Sequence, residues 1–184
     1  LACATYPSYS LDTYNQDYSQ LASDPLRPLW NRALYGTYRP GSIFKPNVAV
    51  AALTEGVITP DTIVNCTRIY TYYDDYQPSC LYYNGPINVV GALQVSCNYF
   101  FYDVGRQLGI DKIAEYATRF GLGQPTGIEL PEETGHAATP ELKLELTGEE
   151  WMPGDTLQAA IGQQENQFTP LQLANYTATL ANNG

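Results

Sequence analysis

The sequence predicts an α+β protein that is mostly helical, with too few strands to make a satisfactory sheet by themselves. Three observations carry that prediction. Several segments place apolar residues at helical spacing between recognisable start and stop signals. One central stretch is dense in tyrosine, and a later one is rich in Gly, Pro, Thr and Glu. With 184 residues, 44% hydrophobic and 15% charged, the chain is globular rather than disordered and fits one domain with a substantial core.

The opening LACATYPSYS reads as a strand that leads through Tyr6-Pro7 into an irregular segment ending near Gly41. Residues 42–56 form the first helix: Val48, Ala51, Ala52 and Glu55 follow helical spacing, and Gly56 is its stop. The tyrosine-rich segment, residues 61–87, reads as an extended hairpin or loop. Two helices then flank Ser96, one over residues 88–95 and one over 98–108, where Phe101, Val104 and Leu108 mark an apolar face. Asp111 caps a fourth helix, with Ile113, Ala114, Ala117 and Phe120 inward and Gly121 at its end. Residues 122–153 read as loop with short strands, and a short helix follows Gly154-Asp155. The last helix has Thr169 as cap, Pro170 in its first turn and Gly184 after its end.

Composition narrows the function. A net charge of −10 leaves no basic stripe to neutralise phosphates, which argues against nucleic acid. No run of about 18 apolar residues is present to span a membrane. The first residue is Leu1 rather than a methionine, so the chain reads as a piece of something longer, with any targeting element upstream. Four cysteines, Cys3, Cys66, Cys80 and Cys97, permit three complete pairings. Cys66 and Cys80 flank the tyrosine-rich segment; a bridge between them closes a loop worth roughly 3 kcal/mol and requires an oxidising setting. Two unbridged, buried thiols are the alternative. The cysteines lack the close pairs of a zinc site and His136 is the only histidine, so no metal is expected.

The chemistry lies in RPGSIFKP, residues 39–46. Ser42 and Lys45 stand three apart on one helix face, so the lysine can serve as base for the serine once burial lowers its pKa. Pro46 removes the donor that would pair with the Ser42 carbonyl, which predicts a tightened or irregular first turn. The spacing alone fits a helix cap with a solvated lysine equally well. QVSCNYFF, residues 94–101, adds a second pair: Ser96 and Asn98 can present a hydroxyl and an amide from a junction between helices into one cleft. Read alone, Ser96 is also a cap and Asn98 a turn residue.

Together and in this order, the two motifs resemble the S-x-x-K and S-x-N motifs of the penicillin-recognising serine transferases and hydrolases. YRPGSIFKP, AALTEGVITPDTIVNC with the later Cys80, GLGQPTGIELPEETG and GDTLQAAIGQQENQFTPLQLANYTATLANNG extend the likeness over the whole chain. Residues 1–184 resemble part of a class B penicillin-binding protein transpeptidase domain. The fold this implies is β-lactamase/transpeptidase-like, lacking part of its central antiparallel sheet. The second motif is Ser-Cys-Asn rather than Ser-Asp-Asn, and no Lys-Thr-Gly or Lys-Ser-Gly occurs.

The resemblance implies a peptidoglycan D,D-transpeptidase of cell-wall synthesis. Ser42 becomes the nucleophile toward D-Ala-D-Ala stem peptides and β-lactams, Lys45 its base, Ser96 the proton relay and Asn98 the holder of the substrate amide. No cofactor is implied. Implied partners are stem peptides, β-lactam antibiotics and elongation or division proteins; the implied location is the extracytoplasmic face of the membrane, through a parent anchored upstream. Without the third-motif strand, weak or no activity is expected of the chain taken alone. Two alternatives stand beside this: a carboxypeptidase or β-lactamase-type hydrolase on the same scaffold, and a non-catalytic module whose tyrosines 70, 72, 73, 76, 82 and 83 stack on sugars. A Cys97–His136 thiol pair is a weaker third idea.

Overall fold

The computed structural model describes residues 3–184. Residues 3–10 run without regular structure, and residues 1–2 lie outside the described part. The opening strand is therefore a misreading for residues 3–10: no neighbouring strand lies alongside among the described residues to complete its hydrogen bonds, and Tyr6 is 85% exposed. The segment up to Gly41 also holds two helices that its sequence pattern hid, α1 (Tyr14–Ser23) and α2 (Arg32–Tyr35). α1 buries no residue, so it has no apolar stripe to read; α2 is a single turn capped by the Asn31 side chain, which accepts from the Ala33 N–H.

A 3₁₀ turn (Gly41–Phe44) leads directly into α3 (Lys45–Thr54). This is the irregular start that Pro46 predicts: the Ser42 carbonyl, denied its usual partner four residues on, accepts from the Lys45 N–H instead. The tyrosine-rich segment is a hairpin whose base is β1 (Val64–Cys66) paired antiparallel with β2 (Gly85–Ile87). Among the described residues this two-stranded ladder is the only sheet.

α4 (Val89–Gln94) and α5 (Asn98–Leu108) flank Ser96 as expected, and α6 (Ile110–Arg119) follows. The cap of α6 is Gly109 at φ +83°, with Asp111 in the first turn rather than before it. α7 (Pro140–Thr147) lies inside the stretch read as loop; Thr139 and Pro140 supply its start, and its mixture of Glu, Lys, Leu and Thr has a weak apolar face. α8 (Pro153–Ala160) and α9 (Pro170–Ala181) complete the chain, with a reciprocal Thr169–Gln172 capping box opening α9.

α5 runs through the centre, packed against α3, α6, α8 and the hairpin. Phe100, Phe101, Val104, Phe44, Val48, Leu157 and Phe168 are fully buried around it. That packing fixes the start of α3 relative to the start of α5, which is where both motifs lie.

Candidate active site

Ser42 sits exposed on the 3₁₀ turn, whose backbone is pinned from behind. Gly41 adopts φ +58°, and its N–H donates to the Gly162 carbonyl at 2.9 Å. A Cβ on Gly162 would lie 2.2 Å from the Gly41 oxygen, so only glycine permits this approach. Further along both segments, Tyr38 and Phe168 exchange both backbone hydrogen bonds. The segment 162–168 is thus a backing wall for the turn that presents the serine.

Ser96 occupies the one-residue junction before the Cys97 cap of α5, at φ +54°. A serine in the left-handed region costs about 1 kcal/mol or more, which is tolerated here because the turns on both sides hold it. The conformation brings the Ser96 hydroxyl to 2.9 Å from the Ser42 hydroxyl. Lys45 Nζ then donates to Ser96 Oγ at 2.9 Å, to the Ser96 carbonyl at 2.8 Å and to Asn98 Oδ1 at 2.6 Å.

The structure therefore brings Ser42, Lys45, Ser96 and Asn98 into one connected group. It differs from the pairwise picture in one respect: among the described hydrogen bonds, Lys45 reaches Ser42 through Ser96 rather than directly. Lys45 is 1% exposed, and burial lowers its pKa to about 8. A lysine so placed is neutral in a usable fraction of molecules near neutral pH. The arrangement can draw a proton from Ser42 through a hydroxyl to an amine, as nucleophilic acyl transfer requires.

The cysteines follow the unbridged alternative that the sequence left open. Cys66 and Cys80 are free thiols, not a disulfide. Cys97 packs into the same cluster, and the three sulfurs lie within 4.8 Å of one another, with Cys80 Sγ and Cys97 Sγ 3.8 Å apart rather than at a bonding distance of about 2.05 Å. Asn84 Nδ2 lies 3.6 Å from both Cys66 Sγ and Cys80 Sγ. The three sulfurs converge in space although the sequence has no close cysteine pair. The hairpin folds two distant cysteines onto the α5 cap. These three thiols are the residues that could hold a soft divalent ion. Burial pushes the Cys97 thiol up to about 12, so it is no nucleophile near neutral pH, and His136, in a backbone bridge with Gln167, does not join it.

The tyrosines divide by burial. Tyr70 is 2% exposed, donates to Asp103 Oδ1 at 2.9 Å and accepts from Arg106 Nε at 2.8 Å, tying the hairpin to α5. Tyr82 and Tyr83 are exposed. Sequence reasoning missed a second group beside the site. Lys143 and Asp155 form a buried ion pair at 2.8 Å; the Gln164 side chain donates to Asp155 Oδ1, and the Gln164 carbonyl accepts from Arg39 Nε at 2.8 Å. Nothing in their spacing links residues from α7, α8, the backing wall and the serine turn; only the Glu-rich run before Trp151 hinted at charge in this region.

The chain is similar to known proteins over its whole length. The profile described as "Penicillin binding protein transpeptidase domain" matches residues 1–184. The peptidoglycan D,D-transpeptidase MrdA of Haemophilus influenzae is 37% identical over the whole chain, and the chain spans 30% of that relative's length. Among solved structures, Pseudomonas aeruginosa PBP2 in complex with WCK 5153 aligns with a TM-score of 0.89 at 36% identity, covering 98% of this chain and 43% of that one. The complex between PBP2 and MreC from Helicobacter pylori aligns with a TM-score of 0.91 at 29% identity, covering 100% of this chain and 36% of that one.

Proposed function

Because the chain belongs to the penicillin-binding protein transpeptidase family, we propose that it carries the nucleophile and proton-transfer group of a peptidoglycan D,D-transpeptidase. The observation that carries this reading is the unbroken Ser42–Ser96–Lys45–Asn98 hydrogen-bond group. Ser42 Oγ attacks the carbonyl between the two terminal D-alanines, and its proton passes toward Lys45, with Ser96 between them. Collapse of the tetrahedral intermediate releases D-alanine, which takes a proton back along the same path. The amine of a neighbouring stem then resolves the acyl-enzyme and frees Ser42. Asn98 holds the substrate amide, and its contact with Lys45 fixes the amine's direction. β-Lactams acylate the same oxygen. The protein works at the extracytoplasmic face of the membrane as part of a membrane-anchored parent, in contact with elongation or division proteins.

The test is made in a protein of the relatives' full length. A fluorescent penicillin should label it covalently, and Ser42→Ala should abolish the label. With a D-Ala-D-Ala donor and an amine acceptor, crosslinked product should form. Labelling that survives Ser42→Ala would refute the nucleophile, and hydrolysed donor with no crosslinked product would make the protein a hydrolase.

A further inference from the structure

We propose that Arg39 is a specificity-determining residue beside the nucleophile, a fixed guanidinium that takes a carboxylate of an anionic donor peptide upstream of its scissile bond. The inference rests on the transpeptidase reading above and adds a preference to it.

Arg39 stands three residues before Ser42, at the entrance to the Pro40-Gly41 turn, and its side chain is exposed. An exposed arginine is ordinarily mobile and contributes little. This one is held: Nε donates to the Gln164 carbonyl at 2.8 Å, which spends one donor on the protein and orients the guanidinium plane. The Nη atoms have no protein partner among the described hydrogen bonds and salt bridges. A guanidinium with its back fixed and its paired N–H groups free is prepared for a carboxylate, because the entropy of ordering it has already been met.

The support behind it is built. Gln164 sits at φ +57°, a conformation a glutamine adopts at a cost, and its side-chain amide is held by Asp155 Oδ1. Asp155 is 9% exposed; its other oxygen takes Lys143 Nζ at 2.8 Å and the Met152 N–H at 2.7 Å. That carboxylate is therefore already neutralised and does not compete for Arg39. Gln164 and Asp155 also line a cavity of about 290 Å³ together with Tyr73, Asp75, Tyr76 and Met152, so the wall that orients Arg39 borders open space whose lining includes a second carboxylate, that of Asp75.

The chain has nine Lys and Arg residues against nineteen Asp and Glu. Of the cations at or behind the site, Lys45 is buried in the catalytic group, Lys143 is paired with Asp155, and Arg106 is paired with Asp103. Arg39 is the cation of this set with capacity for an anion from solvent. On a surface of net charge −10, an oriented guanidinium three residues before the nucleophile is where an anionic ligand gains and a neutral one does not.

The experiment uses the full-length protein and two D-Ala-D-Ala donor peptides that differ only in Glu or Gln upstream of the reacting residues. Wild type should favour the Glu peptide about tenfold in kcat/KM, through KM. Arg39→Ala should erase that preference by raising KM for the Glu peptide about tenfold more than for the Gln peptide. Arg39→Lys should keep part of it. Equal losses on both peptides, or a wild type without preference, overturn the proposal. Equilibrium binding of both peptides to Ser42→Ala reads the same charge preference without chemistry. If wild type neither turns over peptide nor takes a penicillin label, the transpeptidase reading fails, and the binding comparison still decides Arg39.

Discussion

Lys45 decides how the site responds to pH. Burial lowers its pKa to about 8, so the neutral fraction is about a tenth at pH 7 and rises tenfold over the next two units. If the amine accepts the Ser42 proton, acylation by penicillin should climb between about pH 7 and 9 and level off with an apparent pKa near 8. A flat profile over that range would exclude Lys45 as the base. Stability should move in the same direction. Between about pH 8 and 10.5 the unfolded chain holds a proton that the folded chain has released, so stability rises with pH across that window. The difference in urea stability between wild type and Lys45→Met isolates this contribution from the tyrosines that titrate higher. Ser96 was legible as a hydroxyl near Asn98, but its φ of +54° was not. That angle is imposed by two helices meeting, and a serine gives no sign of it in sequence.

Among elements, the crossing of α5 and α8 carries the site. Gly105 makes it possible: a Cβ there would lie 2.4 Å from Ala160 Cβ, well inside contact distance. Gly105→Ala should therefore destabilise by about 1–3 kcal/mol through overpacking, although alanine is the better helix former. Adding Ala160→Gly removes the clashing methyl, so the double variant should be less destabilised than the sum of the singles, a coupling visible in urea melts. Strict additivity would mean that the two helices do not meet as closely as the geometry has it. The helices that line the site, over residues 45–54, 89–94 and 98–108, were legible because their apolar spacing and stops are local. The helices over residues 14–23 and 140–147 were not, since the first buries nothing and the second buries only Lys143. The thiol cluster was hidden for a different reason. Cysteines 14 and 17 residues apart along the chain meet only because β1 and β2 fold the hairpin back onto the α5 cap.

At the scale of the whole molecule, family motifs made the site readable before any tertiary contact was known, while the partners of those motifs were not. The Ser42–Lys45 and Ser96–Asn98 pairs are written in short spacings, but the wall of residues 162–168 that backs them is set by long-range bridges to residues 38 and 41. Charge belongs to this scale too. A chain with 19 acidic and 9 basic residues repels an anionic β-lactam, the ligand proposed for its site, at long range. At about 0.01 M salt the screening length is roughly 30 Å, so the ligand meets the field of the entire surface; at 0.15 M it is about 8 Å, and only groups beside the site still count. Raising salt should thus remove more repulsion than attraction, because the oriented guanidinium of Arg39 acts at contact range. The second-order rate of penicillin acylation should rise about twofold between those salt concentrations. An uncharged ester of the same β-lactam should show no such rise. A rate that falls with salt would mean that local positive charge, rather than the surface as a whole, governs the encounter.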